Sequence, residues 1–310
     1  MKEIKFNDIA LEWLSLRKLY IKHSTFVKYE NIINNHILPY FQSYNNNNIT
    51  NKCIYTFFER KKNEELSSST LNSMKCILSS IYQYGIENYN LQTINFKQIK
   101  ITTLPKIKNV LSHEDRNKLI DYVKTHTNPL SIALLLALYG GLRLGEICAL
   151  KWKHLDFTNQ LVHIEGTATR LKSFQEHQRK TEVIILSPKS HTSYREVPIP
   201  SFVFQYIKTY ISIYNEEDYL LSNSHKIYEP RRLEKNFCKF CHDYDLHCTF
   251  HDLRHSYATE CVRQNVEIKT LSEILGHSNV SITLNFYVHT SLEQKQKEIS
   301  KIQTPKEFVE

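Results

Sequence analysis

The sequence predicts a mainly α-helical protein with a small antiparallel β-sheet, an α+β fold divided between two domains. The length of 310 residues suggests two domains rather than one. Only 6 glycines and 8 prolines occur, so few residues would interrupt helices. Apolar residues recur near a helical period in residues 1–90 and again after residue 201, whereas short β-like runs occur only between these regions.

The N-terminal domain is predicted to be a compact bundle of four helices that occupies residues 1–92. Helices are expected from Phe6, from Ser24 up to Pro39, after Thr50 and after Ser69. Residues 93–110 lack a clear period and carry four lysines, which predicts a basic linker between the domains.

The second domain is predicted to span residues 111–290. Ser112 and Asp115 have the spacing of a helix capping box, and a buried helix over 130–139 is expected to end at a double glycine. The β-like runs cover residues 161–165, 181–186 and 194–199. Helices return after Ser201. The tail 291–310 is predicted to form a short helix suited to docking on a neighbouring copy, with a frayed tail as the alternative.

Charge and hydropathy narrow the class of protein. The net charge is +8, and residues 1–110 carry 15 Lys and Arg against 8 Asp and Glu, whereas the rest carries 25 against 24. A basic N-terminal third suits phosphate binding, although lysine-rich solvated helices are common. The longest apolar run, 132–139, is too short to span a bilayer, and the N-terminus lacks a signal peptide. We therefore expect a soluble cytoplasmic protein. No glycine-rich phosphate loop occurs, which argues against a nucleotide-driven enzyme.

The seven cysteines are predicted to be reduced thiols, because their number is odd and no export signal precedes them. Cys238 and Cys241 have the spacing of a zinc pair, with His247, Cys248 and His251 downstream. A second cysteine pair is missing, and residues 233–244 have the pattern of an amphipathic helix. Small core residues are therefore the favoured interpretation, and no metal site is expected.

Two segments carry arginines at positions suited to binding an anion. Arg143 follows the buried helix and its double-glycine turn, which can deliver a guanidinium into a pocket; a surface ion pair with Glu146 is the simpler alternative. His251 and Arg254 lie three apart at the start of a helix that Thr249 and Asp252 are spaced to cap. Backbone N–H groups at such a helix start favour a phosphate, although a capped helix with solvated charges fits this segment equally well.

Two further segments carry a histidine and a tyrosine. Gly276 is predicted to end a helix in the left-handed conformation and to expose His277 at the turn. Tyr287 follows ten residues later in the run Thr-Leu-Asn-Phe-Tyr. A tyrosine in an apolar stretch is usually a core residue, and the chain has 19 tyrosines, so Tyr287 alone indicates little.

Taken together, the four segments resemble the tyrosine recombinase (phage integrase) family. The motifs GLRLGEI from Gly141, HDLRHS from His251, LGHS from Leu275 and LNFY from Leu284 occur in the family's order and spacing. The resemblance covers residues 140–290, and the helical N-terminal portion resembles the family's SAM-like core-binding domain. Because this portion begins almost at Met1, an arm-binding domain is expected to be absent, as in the two-domain Xer recombinases.

The resemblance implies a catalytic site without a cofactor. It assigns Tyr287 as the nucleophile, Arg143 and Arg254 as ligands of the phosphate, and His277 as a further hydrogen-bond partner of the phosphate. His251 is the candidate to accept the tyrosine proton, and Glu146 has a supporting role. A lysine on a β-hairpin should protonate the leaving oxygen. Lys189 is the candidate for this position, and Lys172 and Lys180 are its rivals.

The implied function is site-specific recombination for integration or excision of a mobile element, through a 3′-phosphotyrosyl intermediate. The expected partners are double-stranded DNA with inverted core-type sites, three further copies of the chain in a tetramer, and excisionase or DNA-bending proteins. Chromosome-dimer resolution of the Xer type and relaxation of the type IB topoisomerase kind are the alternatives. A non-catalytic DNA-binding descendant is disfavoured because both arginines and Tyr287 are present. A metal-dependent nuclease would need a carboxylate cluster, which the motifs lack.

Overall fold

The computed structural model describes residues 4–42, 44, 48–102, 110–172, 181–186, 194–211, 213–277 and 279–287, with two isolated tail positions, 296 and 299. The chain divides near residue 106 into two compact units, and each unit has its own apolar core. Helices predominate and the strands form small antiparallel sheets, which confirms the predicted fold class. No helix in the described ranges combines the length and apolar character that crossing a membrane requires.

The first unit is a helical bundle. Its α-helices are α1 (Phe6–Arg17), α2 (His23–Ile32), α3 (Leu38–Phe41), α4 (Asn51–Asn63) and α5 (Ser68–Tyr89). The side chain of Thr50 caps α4 by accepting a hydrogen bond from the Cys53 N–H, and Ser67 caps α5 in the same way. The core contains a cluster of aromatic rings, among them Phe41, which lies 5.1 Å from Phe6 and 5.3 Å from Phe57 between ring centroids.

The second helix continues past the proline at which the sequence predicts its end. A π-helical turn, Ile33–Ile37, joins α2 to α3, and Pro39 lies in the first turn of α3. A proline ring normally collides with the carbonyl four residues earlier, and the wider π-turn lies where that carbonyl occurs. The two helices therefore form one continuous rod with a local irregularity.

The segment that follows α5 packs on the bundle instead of leaving it. Leu91, Phe96 and Ile99 are buried in the core of the first unit, and Phe96–Gln98 forms a short 3₁₀ turn. This differs from the prediction of a linker that begins at residue 93, because three apolar side chains without a helical period still find a common core. Residues 103–109, the remainder of that predicted linker, lie outside the described residues.

The second unit combines helices with short strands. Its helices are α6 (His113–Thr125), α7 (Pro129–Gly140), α8 (Leu144–Ala149), α9 (Ser201–Tyr210), α10 (Pro230–Asp243), α11 (Phe250–Arg263), α12 (Ile268–Leu275) and α13 (Val280–Tyr287). Its strands are β1 (Leu155–Asp156), β2 (Leu161–Ile164), β3 (Thr167–Lys172), β4 (Thr181–Leu186) and β5 (Arg195–Pro198). The predicted cap of α6 is present, since the Ser112 hydroxyl accepts a hydrogen bond of 3.0 Å from the Asp115 N–H.

The strands form two small antiparallel groups. β1, β2 and β5 make a three-stranded sheet, in which Val162 pairs with Val197, and β3 pairs with β4. The strands β2, β4 and β5 were predicted from β-like runs, whereas no such run marks β1 or β3. β1 has two residues, and β3 is largely polar without alternation, so neither carries a strand signal in the sequence.

Helix α7 is the centre of the second unit. Nearly all of its side chains are buried, and α6, α9 and α11 pack around it. It ends at Gly141, whose positive φ of +63° belongs to the left-handed region. An added Cβ at Gly141 would lie 2.6 Å from the ring of Tyr257 on α11, so only glycine fits this turn. The turn leads directly to Arg143.

Candidate active site

Arg143 is held at the start of α8 by a buried carboxylate. The Arg143 backbone N–H donates to Glu146 Oε2 at 2.9 Å, and its Nη1 donates to Glu146 Oε1 at 2.6 Å. The Glu146 side chain is 6% exposed and that of Arg143 is 37% exposed. The pair is therefore not the surface ion pair that the sequence allowed, because its carboxylate lies in the interior and its guanidinium reaches the surface.

The same carboxylate binds a second guanidinium, from Arg195 at the start of β5. Arg195 Nη1 donates to Glu146 Oε1 at 3.0 Å and Nη2 donates to Oε2 at 2.9 Å, a two-pronged ion pair. Burial raises the pKa of Glu146, but the hydrogen bonds and positive charges of Arg195 and Arg143 outweigh it and hold this pKa at about 2. Glu146 is therefore ionised at neutral pH.

Arg254 lies deeper, on the inward face of α11. Its side chain is among the fully buried ones, and its Nη1 donates to the Gly141 carbonyl at 2.7 Å. Its Nη2 donates to the carbonyl of Leu275, the last residue of α12. A buried cation is stable only when hydrogen bonds replace its water, and two helix C-termini supply such partners here. Arg254 thus joins the turn after α7 to the turn after α12.

The turn after α12 presents His277. Gly276 has a φ of +61°, and the His277 N–H donates to the Ser272 carbonyl, which closes the helix as the sequence predicts. His277 Nδ1 lies 2.9 Å from the hydroxyl oxygen of Thr283, a fully buried residue on α13, and the two atoms share a hydrogen bond. That bond fixes the orientation of the imidazole ring.

His251 and Arg254 belong to the same helix start but have different surroundings. The predicted capping box is present: the backbone N–H and the hydroxyl of Thr249 both donate to Asp252 Oδ2, at 2.7 and 2.8 Å. His251 is exposed on the first turn, and its ring lies edge-on to His255 at 4.5 Å between centroids. The helix therefore presents one basic group outward and anchors the other inside.

The predicted nucleophile and the candidate lysines lie at the limits of the described structure. Tyr287 is the last residue of α13, which packs against α12 and α11, but its side chain lies outside the described part of the chain. Lys189 and Lys180 lie outside the described residues, as does the side chain of Lys172 at the end of β3. The predicted tail helix over 291–310 is also outside, apart from two positions. The assignments of Tyr287, of the three candidate lysines and of the tail helix all stay predictions.

The structure brings Arg143, Glu146, Arg254 and His277 together as one set on adjoining helix ends, where Glu146 binds Arg143 and Arg254 bonds to the two turns that lead to Arg143 and His277. Arg195 also belongs to this set, and sequence reasoning missed it. The signal that could have found it is weak: an arginine at the start of a β-like run is ordinary, and its partner Glu146 lies 49 positions away. Arg143 and Arg195 both bind Glu146, and Arg254 binds the carbonyls of the neighbouring turns. The cluster therefore has a net positive charge, which favours binding of a phosphodiester.

The cysteines of the second unit do not gather into a metal site in the described residues. Cys241 Sγ and Cys248 Sγ are 3.9 Å apart, whereas Cys238 is exposed on α10 and the His247 side chain is 92% exposed. No group of three or more His, Cys, Asp or Glu within the described ranges is arranged to hold a metal ion. Burial contributes to a raised pKa of the Cys241 thiol, after its hydrogen bond with Cys248.

Comparison with known families agrees with the division of the chain into two units. Residues 109–294 match the model of the phage integrase family, and residues 5–62 match the N-terminal SAM-like domain of phage integrases. The chain therefore belongs to the phage integrase family, the tyrosine recombinases, and the resemblance inferred from the four motifs is confirmed. Members of this family are DNA strand transferases that carry out site-specific recombination.

Individual relatives include both Xer-type and transposon proteins. The chain is 28% identical over 320 residues to a protein named "Tyrosine recombinase XerC-like" from Caldanaerobacter subterraneus, covering 95% of this chain and 81% of that protein. It is also 28% identical over 268 residues to the transposase of transposon Tn916 from Enterococcus faecalis, covering 77% of this chain. The chain spans 62% of the length of that transposase. The Tn1549 transposon integrase, solved in complex with transposon right end DNA, has the same fold, with a TM-score of 0.80, 20% identity, and coverage of 96% of this chain and 99% of that one.

Proposed function

We propose that this chain is the integrase of a mobile genetic element, which cuts and rejoins double-stranded DNA through a covalent bond to Tyr287. The observation that carries the proposal is the hydrogen-bonded cluster around Glu146 and Arg254. It fixes Arg143 and His277 on two turns that Arg254 ties together. Helix α13, which ends at Tyr287, packs on α12 and so begins beside the His277 turn.

The cleavage step is an in-line transesterification at a DNA phosphodiester. The Tyr287 oxygen attacks phosphorus, the bond between phosphorus and the 5′ oxygen breaks, and a 3′-phosphotyrosyl bond forms. A tyrosine hydroxyl has a pKa of about 10 in water, so its proton needs an acceptor, and exposed His251 is the proposed one. Arg143 and Arg254 are proposed to stabilise the charge that develops on the non-bridging oxygens, with His277 as an additional donor.

The leaving 5′ oxygen takes a proton from a lysine, for which Lys189 is the proposed donor and Lys172 and Lys180 are the rivals. The bond energy of the phosphodiester is kept in the phosphotyrosyl bond, so a 5′-hydroxyl from another strand can attack it and rejoin the DNA without ATP. Because guanidinium groups can stabilise the pentacoordinate phosphorus by themselves, we propose that the reaction needs no metal ion.

Strand exchange between two duplexes requires four cleavages, so the proposed active assembly is a tetramer on DNA that carries inverted core-type sites. Excisionase or DNA-bending proteins are proposed accessory partners. The Tn916 relative supports a mobile-element role. The XerC-like relative keeps chromosome-dimer resolution as the alternative, and the genes beside the coding sequence distinguish the two roles.

The test is to incubate negatively supercoiled plasmid with the protein in EDTA at low salt, in parallel with a Tyr287→Phe variant. The proposal expects relaxed plasmid and protein covalently trapped on DNA, both lost in the variant. The matched control is Tyr194→Phe, which removes an exposed tyrosine hydroxyl elsewhere in the second unit and should keep activity. Activity that survives in Tyr287→Phe overturns the assignment of the nucleophile, and activity that needs added Mg²⁺ overturns the metal-free scheme.

A further inference from the structure

Glu146 is shared between two arginines that are not equivalent. Arg143 makes one side-chain hydrogen bond to it and is 37% exposed, whereas Arg195 makes two and is 6% exposed. A single hydrogen bond leaves a guanidinium free to pivot about its long side chain, but a two-pronged pair fixes the plane of both groups. Arg195 therefore supplies two of the three guanidinium hydrogen bonds that hold the carboxylate, and Arg143 depends on that carboxylate for its own position.

Arg195 has a further contact with the opposite side of the site. Its Nε donates to the Ile274 carbonyl at 2.6 Å, in the last turn of α12. Its side chain also lies against the next turn, since a Cβ added to Gly276 would be 3.0 Å from Arg195 Cδ and Nη1. Arg195 therefore touches both the carboxylate that holds Arg143 and the backbone that carries His277.

We propose that Arg195 is a positioning residue for the recombination reaction, one that sets the geometry of Arg143 through Glu146 and that of His277 through the end of α12. The inference rests on the proposed function, because it assumes that Arg143 and His277 bind the phosphate that is cleaved. All three guanidinium nitrogens of Arg195 already donate to protein acceptors, the Ile274 carbonyl and the two oxygens of Glu146, so Arg195 acts through these neighbours and does not take a direct role in the chemistry.

A positioning role and a purely structural role for Arg195 predict different pH dependences of DNA cleavage. Among the described residues, the charged groups that act on Glu146 are Arg143 on its own helix and Arg195 from β5. Without Arg195, burial of the Glu146 carboxylate is opposed by one cation instead of two, so the pKa of Glu146 rises from about 2. Protonation then releases Arg143 as the pH falls. A positioning role therefore predicts an added loss of cleavage at low pH, which a mere loss of stability does not produce.

The substrate for the test is made with the protein itself. Duplexes from a random-sequence library are selected for binding to the Tyr287→Phe variant, and the selected site is built into a nicked duplex that traps the covalent adduct. Single-turnover adduct formation is then measured from pH 5 to pH 8. The proteins compared are the natural chain, Arg195→Gln, Arg195→Lys, Glu146→Gln and the double variant that combines Arg195→Gln with Glu146→Gln. Arg170→Gln removes a comparable Arg–Glu pair, whose described partners are Glu229 and Thr181, and serves as the matched control.

The expected result is a fall of the adduct rate by roughly 10- to 100-fold in Arg195→Gln at pH 7.5, with DNA affinity changed less than about threefold. The ratio of the Arg195→Gln rate to the natural rate should fall further towards pH 5. This further fall towards pH 5 should be absent when Arg195→Gln is combined with Glu146→Gln. It should also be absent in Arg170→Gln. Arg195→Lys keeps the charge without the two-pronged pair, so its rate should be reduced while its pH dependence stays close to the natural one.

Two results overturn the inference while leaving the proposed function intact. One is an adduct rate in folded Arg195→Gln or Arg195→Lys that equals the natural rate. The other is a loss of adduct rate that is the same at every pH, both with the natural Glu146 and with Glu146→Gln. If Arg195→Gln does not fold, the adduct rate of Arg195→Lys and the pH dependence of that rate decide whether the inference holds. Failure of the proposed function looks different, because then the natural chain forms no adduct, or Tyr287→Phe forms as much.

Discussion

The geometry of the candidate site depends on Glu146, a buried carboxylate with two cationic partners. Glu146 would be costly to bury alone, and it is stable because three guanidinium N–H bonds and one backbone N–H bond replace its water. Replacement of either arginine leaves the carboxylate with fewer donors than its oxygens can use. The same groups that allow the burial also orient Arg143, so stability and orientation are linked at this residue.

This linkage makes the stability of the fold depend on pH in a defined way. The pKa of Glu146 is about 2 in the folded protein and 4.5 ordinarily, so its ionisation stabilises the fold above pH 4.5, and the stabilisation is lost as the pH falls towards 2. Glu146→Gln should therefore lower the free energy of unfolding by on the order of 3 kcal/mol at pH 7. The difference from the natural chain should shrink steadily between pH 5 and pH 2.

Urea unfolding at several pH values measures this difference. Glu260→Gln is the control, since Glu260 pairs with Arg263 at 3.9 Å near the surface and should matter by less than about 0.5 kcal/mol. A Glu146→Gln penalty that stays constant from pH 7 to pH 3 would show that the carboxylate is not held ionised by its arginines.

At the scale of secondary structure, the site is assembled from helix ends. Helices α7 and α12 each end in a left-handed glycine, and their last carbonyls accept from Arg254. Helices α8 and α11 begin beside them with Glu146 and Asp252 as acceptors of the first N–H groups. Helix ends leave backbone donors and acceptors without intrahelical partners, so side chains that satisfy them are fixed in place.

The cap of α11 gives a prediction at this scale. Thr249→Ala removes the hydroxyl of the capping box and should cost about 1 kcal/mol of stability through fraying of the first turn. Because His251 lies on that turn, the rate of adduct formation should fall as well. Ser112→Ala removes the cap of α6, a helix that carries none of the proposed site residues, and should cost similar stability without loss of rate. Equal rates in the two variants would contradict a role for the first turn of α11.

Helix ends are also where the sequence was most informative. The caps at Ser112 and Thr249 and the left-handed Gly276 were predicted because each depends on residues within a few positions along the chain. Contacts between distant segments could not be predicted in this way. The pairing of Arg195 with Glu146 and the burial of Arg254 under two carbonyls depend on how α11, α12 and β5 pack. No periodicity in the sequence encodes that packing.

Resemblance to a family indicated the function, which local sequence patterns could not. His251 and Arg254 share a helix face by spacing, yet His251 is exposed and Arg254 is buried, where the carbonyls of Gly141 and Leu275 accept its hydrogen bonds. Spacing alone favoured a solvated pair as strongly as a phosphate clamp. The order of four motifs along the chain decided for a recombinase, and the family match confirms it.

At the scale of the whole molecule, charge separates the two parts of the chain. Residues 1–110 carry 15 basic against 8 acidic side chains, whereas the rest is nearly neutral. DNA affinity that depends on neutralised phosphates falls as salt rises, because fewer counterions are released. Affinity of the full chain for duplex DNA of unrelated sequence should therefore fall at least roughly tenfold between 50 and 200 mM salt.

Fluorescence anisotropy with a labelled duplex measures this salt dependence. Lys28→Gln and Lys62→Gln, both in the helical first unit, should reduce its slope, whereas Lys208→Gln in the second unit serves as the comparison. An affinity that does not change with salt would contradict electrostatic binding by the basic N-terminal part.

The central claim, that Tyr287 forms the covalent bond to DNA, is tested most directly by mapping that bond. The adduct trapped on a nicked duplex is digested with nuclease and trypsin, and the peptide that carries residual nucleotide is identified by mass spectrometry. Trypsin should release residues 270–295 as one peptide, in which Tyr287 is the single tyrosine. We predict a nucleotide on Tyr287 of this peptide. A nucleotide on any other residue, or an adduct that forms equally in Tyr287→Phe, would contradict the account.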